Sequence, residues 1–174
     1  MPAFDLRMTN PFPTGANGLF HGGPGDGGHG GPHWFDEFGM DLGAPVTTQV
    51  HAVFDGKVTD VKHPVPHGGE YGDQVWVRAA NADLDPNASG GVGIFYTHLS
   101  SPLSIGDVVS RGDVIGTVVQ FGEIPAHLHV ALAERRGGTN FGVNLYSTFK
   151  ATVNSSTVMV VNFKQNGSPP TVTV

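Results

Sequence analysis

Short apolar segments with alternating polar positions dominate the chain, as expected for half-buried β-strands. Residues 73–79 alternate most regularly, with Val75 and Val77 on one face and Trp76 on the other. Similar patterns predict further strands at residues 92–99, 114–120, 126–133, 157–163 and 171–174. No segment keeps a helical period for long. The pattern therefore predicts an all-β fold of roughly five to eight antiparallel strands with long connecting loops.

Glycine-containing turns separate these segments. Asp55-Gly56 lies inside the alternating stretch 50–61 and predicts a β-hairpin there. The repeated pairs Gly106-Asp107 and Gly112-Asp113, each followed by a valine, predict two tight turns around a short strand. A polar loop at residues 80–90 would form either one wall of a groove or a neutral part of the surface.

Glycine and histidine are concentrated near the N-terminus. Residues 21–33 contain seven glycines and three histidines, which predicts a flexible, solvated loop. Its histidines, His21, His29 and His33, would also allow metal binding. The predicted division is an irregular Gly/His-rich arm (1–33), a main β-domain (34–150) and a C-terminal strand extension packed on that domain (151–174).

Composition narrows the functional classes. A length of 174 residues fits one domain with a real core, and 26 glycines with 13 prolines fit a turn-rich β-fold. The net charge of −6 argues against a nucleic-acid partner, because no basic stripe is available for phosphates. The lack of cysteine excludes disulfides and thiolate metal sites. No apolar run is long enough to predict a membrane span.

Two histidines stand side by side in an apolar strand pattern. His127 and His129 alternate with Leu128 and Val130, so the two imidazoles share one face, roughly 6–7 Å apart. This arrangement suits a metal site, or one ligand beside one general base. A single His-x-His motif also arises by chance, so a polar strand face is the alternative.

Three other polar residues favour a metal site over a simple polar strand face. Glu37 and Asp41 precede a strand, and His98 lies near the end of another. Each alone fits a solvated turn or strand end. Together they fit a hydrolytic zinc centre, which needs three nitrogen or oxygen ligands and nearby groups for proton transfer. In this interpretation Asp41, His129 and one further group bind the metal, and His98 and His127 handle protons.

The order of these motifs resembles that of the lysostaphin-type (LytM-like) zinc endopeptidases, which are peptidoglycan hydrolases. The resemblance extends over roughly residues 35–135 in unbroken order. The motifs that carry it are residues 38–45 (FGMDLGAP), 50–52 (VHA), 55–58 (DGKV), 71–75 (YGDQV), 96–99 (YTHL), 105–109 (IGDVV), 112–116 (GDVIG) and 126–129 (AHLH).

This resemblance implies a compact antiparallel β-domain with an open groove, built on a duplicated hybrid motif. It implies an enzyme that uses a zinc-activated water, one Zn²⁺ per chain, to hydrolyse peptidoglycan or glycine-rich peptides. The location implied is extracellular or in the cell envelope. By the same resemblance Asp41 and His129 are metal ligands, and His98 and His127 act as general base and transition-state stabiliser.

One position departs from the family pattern. The first ligand of the family is a histidine four residues before the aspartate, and this chain has Glu37 there. Glu37 would itself bind zinc as a carboxylate ligand. Alternatively, Glu37 points to solvent and His33 reaches in from the glycine-rich loop, or the site holds no metal.

Two other functions remain open at this stage. The first is a catalytically inactive domain of the same fold that binds cell-wall peptide or a partner protein. The second is a phosphohistidine carrier of similar β-fold, which would use His98 and His127 but would not need Asp41.

Overall fold

The fold is built on two antiparallel sheets. A computed structural model describes residues 4–63, 71–79, 91–164 and 168–174. The strands are β1 (Phe4–Met8), β2 (Phe20–Gly22), β3 (Met40–Gly43), β4 (Gln49–His51), β5 (Gly56–Lys62), β6 (Asp73–Ala79), β7 (Gly91–Ser100), β8 (Val108–Val109), β9 (Val114–Val118), β10 (His127–Arg136), β11 (Thr139–Val143), β12 (Met159–Phe163) and β13 (Thr171–Thr173). The helices are α1 (Trp34–Glu37) and α2 (Tyr146–Thr152).

The larger sheet has ten strands. Its main path runs β2-β3-β10-β7-β6-β5-β8, with β11 beside β10, and β9 pairs with both β4 and β7. The smaller sheet has the order β1-β12-β13. The all-β prediction is confirmed, but the described residues contain more strands than predicted. The unpredicted strand β2 has only three residues, which is too short for alternation to reveal it.

The predicted irregular arm contributes to both sheets. β1 pairs with β12 in the smaller sheet, and β2 pairs with β3 in the larger one. The prediction of irregular structure was therefore wrong for residues 4–8 and 20–22, which form β-strands. The division into residues 1–33, 34–150 and 151–174 stays a prediction. The predicted polar loop at residues 80–90 lies outside the described residues.

The predicted hairpin around Asp55-Gly56 does not form. β4 pairs with β9, whereas β5 pairs with β6 and β8. Asp55 instead accepts a hydrogen bond from the backbone N–H of Arg111 at 2.7 Å. The turn therefore joins two strands that have different partners.

The repeated Gly-Asp turns are confirmed. Asp107 accepts a hydrogen bond from the N–H of Ser104 at 2.8 Å, and Asp113 accepts one from Ser110 at 2.7 Å. The glycines before these aspartates have φ angles of 97° and 92°, which glycine adopts without strain. The two turns enclose the short strand β8.

β10 is the central strand for function. It lies between β3 and β7, and its residues Leu128, Val130 and Leu132 are fully buried in the core. The opposite face of β10 carries His127 and His129, as the alternation predicted. Within the described ranges, neither helix has the length or apolar character to cross a bilayer.

Candidate metal centre

Strand pairing brings Asp41 and His129 together. The two residues are directly opposite each other in the β3–β10 register. Asp41 Oδ1 lies 3.0 Å from His129 Nδ1 and 3.7 Å from His127 Nε2. Paired residues of antiparallel strands point to the same face, so the register alone places these side chains in contact.

The third member of the cluster is His29, from the glycine-rich loop. His29 Nε2 lies 3.2 Å from Asp41 Oδ1. Among the described residues, His29, Asp41 and His129 form the one group whose potential ligand atoms all lie within 4.8 Å of one another. This geometry has two imidazoles and one carboxylate facing a common point.

Backbone turns hold His29 in place. The N–H of Asp26 donates to the carbonyl of Gly23, and the N–H of His29 donates to the carbonyl of Asp26, both at 2.9 Å. His29 itself is only 8% exposed. The prediction of a solvated loop was therefore wrong for His29, because the loop turns inward and buries this side chain.

Gly39 gives both imidazoles the space they occupy. A Cβ atom at this position would come closer than 3.0 Å to ring atoms of His29 and of His129. Gly39 is buried directly before β3. Any side chain at residue 39 would therefore displace at least one of the two histidines.

A helix carbonyl sets the orientation of His129. His129 Nε2 donates a hydrogen bond of 2.8 Å to the carbonyl of Phe35 in α1. Carbonyls in the last turn of a helix lack intrahelical partners, so the imidazole satisfies one of them. Since a carbonyl oxygen only accepts, the proton lies on Nε2, and Nδ1 faces Asp41 as the atom available to a metal.

A β-bulge brings His98 to the same face. Asp73 and Gln74 on β6 pair with Leu99 and Thr97, so His98 is the extra residue on β7. Its φ angle is 65°, in the left-handed region that histidine tolerates better than most side chains. Without the bulge, strict alternation would point His98 away from His129, because Thr97 is the residue opposite His129.

Carbonyl groups also orient the two remaining histidines. His98 Nδ1 donates to the carbonyl of Tyr71 at 2.9 Å, and His127 Nδ1 donates to that of Pro125 at 2.8 Å. Each neutral ring therefore keeps an unprotonated Nε2. The His98 and His127 ring centroids are 4.8 Å apart, and Phe121 stacks on His98 at 4.2 Å.

These groups line one open cavity of about 460 Å³. Its polar lining residues include the carboxylate of Asp41 and five histidines, which are His21, His29, His98, His127 and His129. Tyr71, Phe121 and Ile124 supply aromatic and aliphatic walls. The cavity therefore combines a cluster of nitrogen and oxygen donors with apolar lining residues.

The charges in the cavity divide into two sets. Burial alone raises the pKa of Asp41, but its contacts with the rings of His129 and His29 outweigh burial and hold that pKa well below its usual range. The contact with Asp41 also raises the pKa of His29. Burial lowers the pKa of His98 to about 4 and also lowers that of His127. Asp41 is therefore ionised and His98 and His127 are neutral at pH 7.

Asp41 and His129 lie together in the structure, as predicted, and His98 and His127 lie beside them. Glu37, the third predicted ligand, does not belong to this group. Glu37 is exposed on α1 and is not a member of the donor cluster. The alternative candidate His33 is also exposed, and its ring stacks on Phe35 at 5.1 Å. His29 occupies the position in the cluster that was predicted for Glu37 or His33. Its only signal in the sequence was its presence among three loop histidines.

Comparison with known families settles the classification. The sequence model of peptidase family M23 matches residues 36–142, which is more than half of the chain. The chain belongs to peptidase family M23. The predicted resemblance and the prediction of a metallo-endopeptidase are confirmed at the level of the family. The matched segment includes Glu37 and begins seven residues after His29.

Solved structures share the M23 fold. A point mutant of the catalytic domain of the prophage-encoded M23 protein EnpA from Enterococcus faecalis is 25% identical, with a TM-score of 0.50 over 72% of this chain and 87% of that one. A zinc-containing peptidase from Vibrio cholerae is 20% identical, with a TM-score of 0.51 over 79% and 39%. Lysostaphin from Staphylococcus simulans is 22% identical, with a TM-score of 0.52 over 77% and 51%.

This chain therefore spans about half the length of lysostaphin and less of the Vibrio peptidase. No curated protein sequence matches it significantly.

Substitution of His29 should weaken metal binding, whereas substitution of Glu37 should not. We expect His29→Ala to raise the dissociation constant for Zn²⁺ roughly 100-fold or more, because loss of an outer-sphere partner already costs about 10–100-fold at such sites. Glu37→Ala should bind Zn²⁺ like the wild type, since Glu37 is exposed outside the cluster. Competition with a chromogenic chelator measures both constants. Weak binding by Glu37→Ala with tight binding by His29→Ala would contradict the assignment.

Gly39→Ala should also impair the site. The added methyl group would collide with the rings of both His29 and His129, so we expect Zn²⁺ affinity to fall by more than about tenfold. Gly30→Ala is the matched control, because a Cβ there meets no atom of the described residues within 4 Å. The same chelator competition applies. Equal affinities of the two variants would show that the backbone at residue 39 does not determine the histidine positions.

Proposed function

We propose that the chain is a zinc endopeptidase that hydrolyses peptide bonds of bacterial cell-wall peptidoglycan. The main support for this proposal is that the His29–Asp41–His129 cluster lines the same cavity as His98 and His127. The chain that contains this cavity belongs to peptidase family M23. Three potential ligands beside two neutral proton acceptors suit metal-assisted hydrolysis.

The three clustered residues suit zinc. Catalytic zinc sites use three nitrogen or oxygen ligands and leave a position open. His29, Asp41 and His129 supply such a set, and the open cavity gives access to it. The bond from His129 to the carbonyl of Phe35 is the kind of outer contact that orients a metal-binding imidazole. When bound, one zinc per chain would supply a Lewis acid for the scissile carbonyl and for the attacking water.

His98 and His127 are proposed to manage the proton and the developing charge. Both rings are neutral at pH 7, and both carry their proton on Nδ1, which donates to a backbone carbonyl. Nε2 of one ring therefore accepts a proton from water, and the protonated ring then passes it to the leaving amine. The other ring takes up a proton from solvent through the open cavity as negative charge develops on the carbonyl oxygen, and its Nε2–H then stabilises that charge. Their separation of 4.8 Å allows both rings to face one peptide bond.

The proposed substrate follows from the family and from the shape of the site. The motifs of residues 35–135 resemble those of peptidoglycan hydrolases, and a polypeptide lacking large side chains fits a cavity narrowed by Tyr71, Phe121 and Ile124. Glycine-rich cross-bridges are therefore the preferred class. Because this polymer lies outside the cytoplasmic membrane, the proposed site of action is extracellular or in the cell envelope.

The two alternatives have lost their main support. The inactive-domain hypothesis depended on Glu37 standing where a ligand histidine is expected, and His29 now offers that histidine from the loop. A phosphohistidine carrier has no use for the His29–Asp41–His129 cluster, and the family assignment is to a peptidase.

Variants of the proton-handling histidines should separate catalysis from metal binding. We expect His98→Asn and His127→Asn to lower kcat by roughly 10²–10⁴-fold while each retains one zinc, because these residues act in proton transfer. Asparagine also tolerates the left-handed backbone at residue 98. The assay follows release of amino groups from purified cell walls and from glycine-rich peptides, with elemental analysis of bound zinc.

The control variant is His33→Ala, which alters an exposed histidine outside the cluster and should keep wild-type activity. A zinc-loaded wild type that cleaves neither substrate would favour a binding domain. Retention of activity by both asparagine variants would contradict the roles given to His98 and His127.

A further inference from the structure

The glycine-rich loop that carries His29 starts from β2, an edge strand of the larger sheet. β2 has only three residues, and β3 is its one partner among the described strands. The register sets Gly22 opposite Asp41, so the loop leaves the sheet beside the metal cluster. A strand this short makes few hydrogen bonds, so contacts from outside the sheet are needed to hold the start of the loop.

Tyr146 of α2 supplies such a contact. A Cβ atom on Gly23 would lie 2.6 Å from Tyr146 Cδ1 and 2.7 Å from Tyr146 Cγ, so the backbone of Gly23 packs directly against the tyrosine ring. Gly23 is buried, and Tyr146 is half-buried. The φ angle of Gly23 is not in the left-handed region, so the close approach of the ring is what requires glycine here.

Gly22 and Gly23 connect Tyr146 to His29. A Cβ on Gly22 would lie 3.0 Å from His29 Nδ1 and 3.1 Å from His29 Cε1, so the backbone of Gly22 contacts the imidazole. The carbonyl of Gly23 accepts the N–H of Asp26, whose own carbonyl accepts the N–H of His29. The side chain and the backbone of His29 therefore both depend on the two residues beside the Tyr146 ring.

Neighbouring side chains hold the ring of Tyr146 in place. Phe20 of β2 packs edge-on against it, with ring centroids 5.7 Å apart. The Lys150 ammonium, one turn later on α2, lies 5.1 Å from the centre of the Tyr146 ring and 5.4 Å from that of Phe20. An ammonium group within about 6 Å of an aromatic ring is attracted to it. The ring is therefore held by residues of both β2 and α2.

α2 lies outside the part of the chain that matches peptidase family M23. The match ends at residue 142, and α2 begins at Tyr146. His29 precedes the match, whereas Glu37 lies within it and is exposed. Two segments that flank the family match therefore meet at the loop that carries the third potential ligand.

We propose that Tyr146 is a positioning residue of the metal centre, which holds the glycine-rich loop so that His29 faces the other two members of the cluster. The ring acts through the backbone of Gly22 and Gly23. A loop that faces the cluster only part of the time lowers the metal affinity by that fraction. Because glycine loses more backbone freedom on ordering than other residues, this loop depends strongly on such a contact. This inference rests on the proposed function, because it takes His29 as a zinc ligand.

The Zn²⁺ affinity of the chain tests this role, by competition with a chromogenic chelator. We expect Tyr146→Ala to raise the dissociation constant about tenfold or more, as for the loss of other outer contacts of metal sites. Tyr146→Phe keeps the ring and should bind Zn²⁺ within about threefold of the wild type. The absorption spectrum of bound Co²⁺ depends on its ligands, so it should change in Tyr146→Ala and not in Tyr146→Phe.

A double-mutant cycle separates this contact from a general loss of stability. Gly23→Ala alone should weaken Zn²⁺ binding about tenfold, because its methyl group collides with the Tyr146 ring. The collision is absent when Gly23→Ala is combined with Tyr146→Ala, so the combined loss should stay well below the product of the single losses. Gly28→Ala in the same loop is the matched control, because a Cβ there meets no atom of the described residues within 4 Å.

Phe149→Leu is the control for damage to α2 itself. Phe149 is fully buried in the core on the same helix. We expect this variant to lower the melting temperature of the metal-free protein and to keep the Zn²⁺ affinity of the wild type. A loss of affinity as large as that of Tyr146→Ala would assign Tyr146 a general part in stability and overturn the proposal, as would fully multiplicative losses in the cycle.

The remaining outcomes separate this inference from the proposed function. Unchanged Zn²⁺ affinity in Tyr146→Ala, with weak binding by His29→Ala, would overturn the role of Tyr146 and leave the metal centre standing. Tight Zn²⁺ binding by His29→Ala would overturn both. The expected affinities without cleavage of cell walls would support the role of Tyr146 and contradict the proposed reaction.

Discussion

The pairing of β10 with its two neighbours is the constraint on which the site depends. Its register with β3 sets His129 opposite Asp41, and its register with β7 sets His129 opposite Thr97. A shift of one residue would turn both histidines of β10 into the core and expose the leucines and valine that are now buried. Burial of Leu128 and Val130 therefore determines which way His127 and His129 point, so the apolar face of the strand maintains the geometry of its polar face.

His29, the remaining member of the cluster, is positioned by different means. His29 comes from a loop whose inward path depends on short backbone turns and on its contact with Asp41. Gly39 admits the imidazoles of His29 and His129 side by side. A metal that joins His29 to residues of the sheet would also tie the loop to the domain, since ligand binding and local ordering are thermodynamically linked. The candidate centre thus combines two residues fixed by the sheet with one whose position depends on the cluster itself.

Alternation along the chain was sufficient to predict the β-class, the strand of His127 and His129 and the face they share, because these follow from period-2 geometry. The hairpin at Asp55-Gly56 failed because a turn signal does not say which strands pair. His98 was predicted near the site, but the bulge that turns it there depends on the pairing of β6 with β7. His29 was named only among the loop histidines that would allow metal binding, because spatial proximity in a glycine-rich loop has no periodic signal. Glu37 was favoured because it stands where the resembled family has its first ligand histidine, four residues before Asp41.

We propose that His29, rather than Glu37, completes the metal centre. A crystal structure of the zinc-loaded protein with anomalous data at the zinc edge tests it most directly. We expect one zinc within about 2.0–2.2 Å of a His29 nitrogen, an Asp41 carboxylate oxygen and His129 Nδ1. Zinc bound by the Glu37 carboxylate or by His33, with His29 turned to solvent, would contradict it.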